Sequence, residues 1–532
     1  MQIKNQNIRE GDAKMVYTHR HPATLIMGVI FLLIGLATGS GMLDGLIHYF
    51  HSQKYTGEMI WLGYIFGVTG IVVGAWHLWG SHEEGDLDYY LSTVAGGLFI
   101  LLVALSIRWF AAPWVAAVSK AMGPVMGDKP IHKVLGLNYV VLGILAGIII
   151  TNTIGVPQWA RNGVRLSRLG LKTGVILLGT LYSFAELAQL GKLSVALIGV
   201  FVLGSVGLVL LFGRMRGMPN TMTGVLSAGM GVCGVSATVA AAPVVKAKAV
   251  DIAYTIGTIL IWGVGCMFLF PIIGHMLDMG HVQFGAWAGT GILNSAQVAG
   301  AALAYQPDGI ETLKVAEIFN ITRVLFLPII VLWLALWFVK REEGAEKVNI
   351  AQVVVQKFPL FVLGFIIMFG LSSTGVFAPP QHYKGKYFDN NIKEAKLLKA
   401  DEVALLKAEA GKVSKPEYKA ALMRLIENRK IMSREDDAMI RGLNNSKVMS
   451  KKAGKLLKKA HKAVRHTAKK IKKFRQWITL LFAFGLTGLG MQITIAAIRQ
   501  AGGQPLVVGG IVGTLKAVLS LIVIILFVHE TI

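Results

Sequence analysis

Apolar residues run along this chain in long continuous blocks. Blocks of the roughly 20 residues needed to cross a hydrocarbon core occupy 24–47, 59–79, 90–112, 136–154, 171–189, 193–213, 252–276, 314–339, 354–374, 476–495 and 507–528. Two further segments, 219–249 and 283–305, are apolar but interrupted by Gly, Ser, Thr and Asn. Within lipid every backbone N–H and C=O needs a partner inside the protein, so continuous blocks predict helices. The ten-residue alternation of an outer-membrane barrel is absent. The expected fold class is all-α integral membrane, a polytopic helical bundle. Trp61, Tyr64, Trp76, Trp79, Tyr89, Tyr90 and Trp109 cluster near the expected block ends, where interfacial rings anchor a span.

Composition agrees with the pattern. Of 532 residues 54% are hydrophobic and only 15% charged, with 61 glycines and a mean hydropathy of +0.59, more apolar surface than one soluble core needs. The basic leader with Lys4, Arg9, Lys14 and Arg20 ends in no convincing small-residue cleavage site, so the first block reads as a retained helix. Cys233 and Cys266 both fall inside apolar segments and give no disulfide framework.

Charge then constrains topology. Short loops carrying Arg161, Arg165, Arg168 and Lys172, then Arg214 and Arg216, Lys246 and Lys248, and Lys340 and Arg341 should all face the cytoplasm by the positive-inside bias. A simple span over 219–249 would put Arg214 and Lys246 on opposite sides. A hairpin that dips in and returns keeps both inside, and we expect that hairpin.

Two internal echoes support the same picture. LGTLYSFAELAQLG at 178–191 aligns without gaps on LGMQITIAAIRQAG at 489–502, and SATVAAA at 236–242 aligns on SAQVAGA at 295–301. With the hairpin in place both pairs come out oppositely oriented, the arrangement of inverted repeats. The bundle is therefore expected to contain inverted repeats and two interrupted or re-entrant Gly-rich segments.

The interrupted segments are also where chemistry is expected. GVLSAGMGVCGVSATVAAAPVVKAK sets Gly229, Gly231 and Gly234 beside Ser236, Thr238 and Pro243. A helix broken at membrane depth frees polar backbone groups that a cavity or ligand must satisfy, and a helix starting near Ser236 aims its positive end at an anion. Close packing through small residues is the plainer reading. FGAWAGTGILNSAQVAGAALAY supplies Gly289, Gly291, Asn294, Ser295 and Gln297. In KVAEIFNITRVLFLPII, Glu317, Asn320 and Arg323 are neighbours on one helix surface. An arginine entering an apolar run is costly unless it is paired or faces water, so Arg323 is a functional candidate; pairing with Glu317 is the structural alternative.

GVCGVSATVAAAPVVKAK, DIAYTIGTILIWG, FGAWAGTGILNSAQVAGA, NITRV and GLTGLGMQ, in that order and spacing, resemble the YeiH family of proposed sulfate exporters over roughly 136–375 and 474–528. Its ICG-x-SA signature stands here as Val232-Cys233-Gly234-Val235-Ser236-Ala237. The resemblance implies an exporter of small oxyanions in a bacterial inner membrane, with the two glycine-rich segments meeting near mid-membrane. The chain departs from the family pattern where Leu293 and Asn294 replace His and an acid, and where Asn320 replaces Lys; Glu317 is an added acid. Those departures put ion coupling in doubt.

Residues 1–115 add about three hydrophobic spans outside the resemblance, and residues 116–380 with 476–532 hold the transporter core. Residues 381–475 form a basic insert that carries much of the net charge of +24. KEAKLLKADEVALLKAEAG and KKAGKLLKKAHKAVRHTAKKIKKF read as amphipathic basic helices. Anionic membrane lipid is the expected partner; the missing aromatic series argues against nucleic acid, and a homo-oligomer is left open. There is no CxxC pair, HExxH or P-loop, so no cofactor or metal is expected and enzyme readings have no support.

The leading expectation is gradient-driven transport of a small anion held by Gly231, Gly234, Ser236, Thr238, Asn294, Ser295, Gln297, Asn320 and Arg323. The alternatives are a cation or proton antiporter with Asp251 and Glu317 as coupling carboxylates, and a membrane scaffold whose insert recruits lipid or RNA.

Overall fold

The computed structural model describes residues 21–80, 86–126, 129–182, 184–307, 309–339, 341, 360–383, 387–446, 448–499 and 502–528. The basic leader, Lys340 and the start of the 354–374 block lie outside the described residues. The protein is an all-α polytopic membrane protein. Among the described residues six stretches are long and apolar enough to cross a membrane: Gln53–Trp79, Tyr89–Ala121, Ser194–Met215, Ala249–Met276, Glu311–Phe338 and Gly503–Phe527. The chain divides into two compact units, one of residues 1–176, 187–364 and 477–532, the other of 177–186 and 365–476.

In the larger unit, α1 (Ala23–Gly39) ends earlier than the 24–47 block suggests, because the chain turns through Gly41 at φ +80° before a short helix Asp44–Tyr49. It packs on α2 (Thr56–Trp79) so closely that a Cβ at Gly28 would lie 2.5 Å from the Gly70 backbone, and one at Gly63 would lie 2.7 Å from Gly35. Small residues at such contacts let backbones approach where lipid offers no hydrophobic drive. The helix α3 (Asp86–Ser106) continues through a π turn at Ile107–Ala111. That turn presents Arg108, whose guanidinium donates to both oxygens of Glu58 at 2.8 and 3.2 Å.

Next, α4 (Tyr139–Thr153) is capped by the Asn138 side chain, which accepts from Val140 and Val141 N–H. The helix α5 (Arg161–Leu178) corrects two expectations. Residues 161–172 are helix, not loop: Arg161, Arg165, Arg168 and Lys172 recur at helical spacing and form one exposed face. The 171–189 block is also not one span, because a tight turn at Gly179–Leu181 and extended Tyr182 (ψ 149°) break it. Its second half joins the 193–213 block in the 32-residue α6 (Phe184–Met215).

The two interrupted segments are both hairpins. In the first, α7 (Asn220–Gly231) and α8 (Val235–Ala241) flank a break at Val232–Gly234. A Cβ on Gly224 would lie 2.8 Å from Val245, so the chain returns alongside itself. Thr221 Oγ1, beside the start of α7, donates to Asp251 at 2.7 Å, in the first turn of α9 (Ala249–Met276). Both ends of the hairpin thus lie at the N-terminal end of α9, as the basic flanks required. In the second, α10 (His281–Gly291) and α11 (Ser295–Tyr305) flank Ile292–Asn294. Phe284 and Tyr305, near its two ends, stack at 3.9 Å, and His275 at the C-terminal end of α9 stacks on Tyr305 at 4.4 Å.

At a rise of about 1.5 Å per residue, α9 is about 42 Å long, close to a whole bilayer. The hairpins therefore enter from opposite ends of α9. The entering half-helices α7 and α10, about 16–18 Å long, bring the tips to mid-depth, which is the inverted arrangement the echoes pointed to. The helix α12 (Glu311–Leu325) runs beside α10 from base to tip, packed through Gly285 and Gly289, and α13 (Leu327–Val339) follows it.

The smaller unit contains α14 (Leu360–Ser373), α15 (Ala400–Glu409), α16 (Pro416–Asn428), α17 (Arg434–Asn445) and α18 (Lys451–Ala463), α14 beginning in the larger unit. The amphipathic faces of α15 to α18 close on one another around Leu406, Leu422, Leu425, Ile440, Leu443 and Leu457. The insert is a folded helical domain with its own core, so the surface it offers is its charged one. The chain re-enters the larger unit along α19 (Lys469–Gly490). The echo segments 178–191 and 489–502 both begin at a helix end and cross a break, the second at Met491–Thr494. Finally, α20 (Gly503–Phe527) runs parallel to α9, from Gly509 against Thr258 to Val528, whose carbonyl accepts from Gln283 at 2.9 Å.

Candidate functional site at the hairpin tips

The two tips meet. Gly234 turns the first tip at φ +78° and ψ −127°, a conformation that L side chains avoid. A Cβ at Gly234 would lie 3.2 Å from Asn294 Cα and Cβ. Only glycine gives this turn and this approach. Asn294 forms the opposing tip in extended conformation and caps α11, its Oδ1 accepting from Ala296 N–H at 3.2 Å, as side-chain oxygens at this position commonly do.

A half-helix ending inside a membrane leaves its last carbonyls without partners. Each hairpin meets this with a cation from a neighbouring full helix. Arg323 on α12 donates from Nη1 to the Ile292 carbonyl, the end of α10, and from Nη2 to Asn320 Oδ1 at 3.0 Å. Lys516 on α20 donates from Nζ to the Met230 and Gly231 carbonyls at 3.1 and 3.3 Å, the end of α7. Both side chains are buried. Asn320 passes the network on, its Nδ2 donating to Glu317 Oε2 at 2.9 Å.

Each tip also brings one helix C-terminus and one N-terminus, so the helix dipoles offset one another. The charge that remains is that of the side chains. Among the described residues buried at the tips themselves it comprises Arg323 and Lys516 against one acid, Glu317.

Donors remain after capping. A guanidinium has five N–H groups and an ammonium three. Arg323 Nε, Ser295 Oγ and both amide atoms of Gln297 make no hydrogen bond within the protein. Gln297 lies against Gly263 of α9, where any side chain would collide with its amide. Just past the breaks, Ser236 is exposed and Ser295 partly so.

The structure thus gathers Gly231, Gly234, Ser236, Asn294, Ser295, Gln297, Asn320 and Arg323, with Glu317, around the tips. Thr238 is nearby but occupied, donating to the Gly234 carbonyl at 3.2 Å. Asp251 is elsewhere: at the hairpin base it accepts from Lys248 N–H at 3.1 Å and from Thr221, which makes it a helix cap. Sequence reasoning passed over Lys516. The signal was present, since the rule that marks Arg323 applies equally to one lysine alone in VVGGIVGTLKAVLSLIVIILFV.

Residues 110–390, which include both hairpins and Arg323, match the family described as conserved hypothetical protein 698. The chain belongs to that family. It is the YeiH-type family that the order of the sequence blocks resembles. A UPF0324 membrane protein of Nitratidesulfovibrio vulgaris is 33% identical over 455 residues, covering 84% of this chain and 99% of that relative. A second UPF0324 membrane protein of the same organism is 42% identical over 280 residues, 52% of this chain and 77% of its own. No solved structure matches the chain. Lys516 lies outside the family match, so this YeiH-type protein completes its tip site with a residue from its last described helix.

Proposed function

We propose that this protein is a gradient-driven secondary transporter, with no enzymatic activity, that carries a small oxyanion such as sulfate or a sulfonate across a bacterial inner membrane by alternating access. The observation that carries this reading is the charge count at the hairpin tips: two buried cations, one buried acid and several donors without partners. An uncompensated buried cation is costly, and a dianion or monoanion between the tips offsets it. Arg323 offers Nε and its remaining Nη hydrogens as a planar fork suited to an oxyanion. Lys516 offers a compact charge, and Ser236, Ser295 and Gln297 complete the shell beside the N-terminus of α11.

The geometry favours this over a carboxylate-coupled antiporter, because Asp251 and Glu317 lie at different depths and Asp251 already serves as a cap. The two hairpins enter from opposite ends of α9, so opening beside one tip or the other exposes the same site to one side or the other. Counterflow in proteoliposomes tests the proposal. Purified protein should exchange radiolabelled sulfate, or a small sulfonate, against the same unlabelled anion inside. Absence of counterflow for sulfate, sulfite and sulfonates, alongside sodium-dependent pH changes, would overturn it.

A further inference from the structure

The insert carries a cluster that transport does not use. Asp437 stands in the first turn of α17, His461 in the last turn of α18, and His466 just beyond it. His461 Nδ1 is 2.6 Å from Asp437 Oδ1 and His466 Nε2 is 3.6 Å from Oδ2. The two imidazoles stack at 5.0 Å, and one ligand atom from each of the three residues lies within 4.8 Å of the others.

We propose that Asp437, His461 and His466 bind one divalent transition-metal ion of zinc type. The carboxylate is 1% exposed, yet its Oδ2 accepts no hydrogen bond. Arg441 Nε lies 3.3 Å from that oxygen in an ion pair whose angle makes no hydrogen bond. Zinc binds imidazole nitrogen and carboxylate oxygen at about 2.0–2.2 Å, which sets tetrahedral ligand atoms about 3.3 Å apart. The 2.6 and 3.6 Å separations, one to each oxygen of the carboxylate, lie on either side of that value and the whole ligand set lies within 4.8 Å, so side-chain rotations close the site. Two imidazoles and one carboxylate select zinc, copper or nickel over magnesium or calcium.

The surroundings hold this geometry in place. Helices α17 and α18 are fixed by the insert core through Leu443 and Leu457. The segment carrying His466 is pinned by Arg465 and Asp389, which exchange backbone hydrogen bonds at 2.9 and 3.0 Å and pair through their side chains at 3.0 Å. The cationic environment opposes a metal ion, but its nearest member is free to leave: the Arg441 side chain is 58% exposed and can swing into water once a cation takes its place. His461 and His466 are 31% and 39% exposed on the outer side. Three protein ligands, of which the two histidines face water, leave a fourth position open, the mark of an exchangeable site rather than a closed structural one.

The test uses the full-length protein in detergent with any affinity tag removed. Titration with Zn2+ alone should give one ion per chain after desalting, and Co2+ should give the visible absorption of a tetrahedral site. His466→Gln, at the most exposed ligand, should weaken Zn2+ at least about tenfold and abolish the cobalt spectrum while leaving the melting temperature of the metal-free protein unchanged. His461→Gln should do the same to binding. Substoichiometric zinc in the parent protein, or full stoichiometry retained in the His461→Gln, His466→Gln double variant, overturns the site. The first outcome would leave Asp437 and the histidines as a hydrogen-bonded cluster only.

Discussion

The hairpin tips and the basic insert handle charge in opposite ways. In the insert, cations meet carboxylates near water: Lys459 with Glu402 at 2.6 Å, Arg424 with Asp436 at 2.5 Å, Arg465 with Asp389 at 3.0 Å. At the tips, Arg323 and Lys516 meet backbone carbonyls in the interior. Exposed ion pairs contribute little because water and salt screen them, so the insert's fold rests on its apolar core. Buried cations on helix ends are unscreened, so removing one has a large effect. Density of charge in the sequence is therefore a poor guide to where charge matters.

The sharpest break of the comparison is at the tip contact itself. Gly234→Ala forces a side chain into a glycine-only conformation and against Asn294, and should destabilise the membrane unit by about 3 kcal/mol, read as a lower melting temperature in detergent. Asn294→Ala, on the opposing tip, removes only a helix cap and should cost about 1 kcal/mol. Equal effects would show that the tips do not differ in the way their backbones indicate.

Lys516→Met keeps the length and removes the charge. It should leave the Met230 and Gly231 carbonyls unpaired and weaken sulfate binding by about 1.5–3 kcal/mol, roughly ten- to hundredfold, measured by ligand-induced thermal shift. Arg323→Lys retains charge but loses the planar fork, and its binding should fall within the same range, toward the lower end because the charge remains. If neither change alters anion binding, both cations are structural caps only.

The smallest expected effect lies in the insert. The hydrogen bond from Lys459, with the Lys399 N–H, holds the Glu402 carboxyl below its usual value. A depressed folded pKa adds stability above the unfolded value of about 4.3, and that stability is lost as pH falls toward the folded one. Hydrogen-exchange protection of α15 and α18 in the full-length protein, after division by the intrinsic exchange rate at each pH, should therefore fall modestly between pH 7 and pH 4, by less than about 0.5 kcal/mol after screening. Glu402→Gln should flatten that dependence. A large effect there would erase the contrast with the tips.

The sequence alone determined the membrane class, because continuous apolar blocks have one backbone solution in lipid. It also located both interrupted segments and the first hairpin, because glycines and flanking lysines leave local signatures. Arg323 was legible for the same reason as any charge in an apolar run. What sequence reading lost was whatever depends on which faces meet. The four basic residues of α5 formed a helix face that reads as a loop when charges are counted without their spacing. Asp251 had the chemistry of a coupling acid but the position of a helix cap. Lys516, far along the chain from Arg323, and the trio Asp437, His461 and His466 acquire meaning only from neighbours brought together by folding. Partners within a turn are fixed by chain connectivity. Partners between helices are fixed by packing, which the linear order of residues does not encode locally.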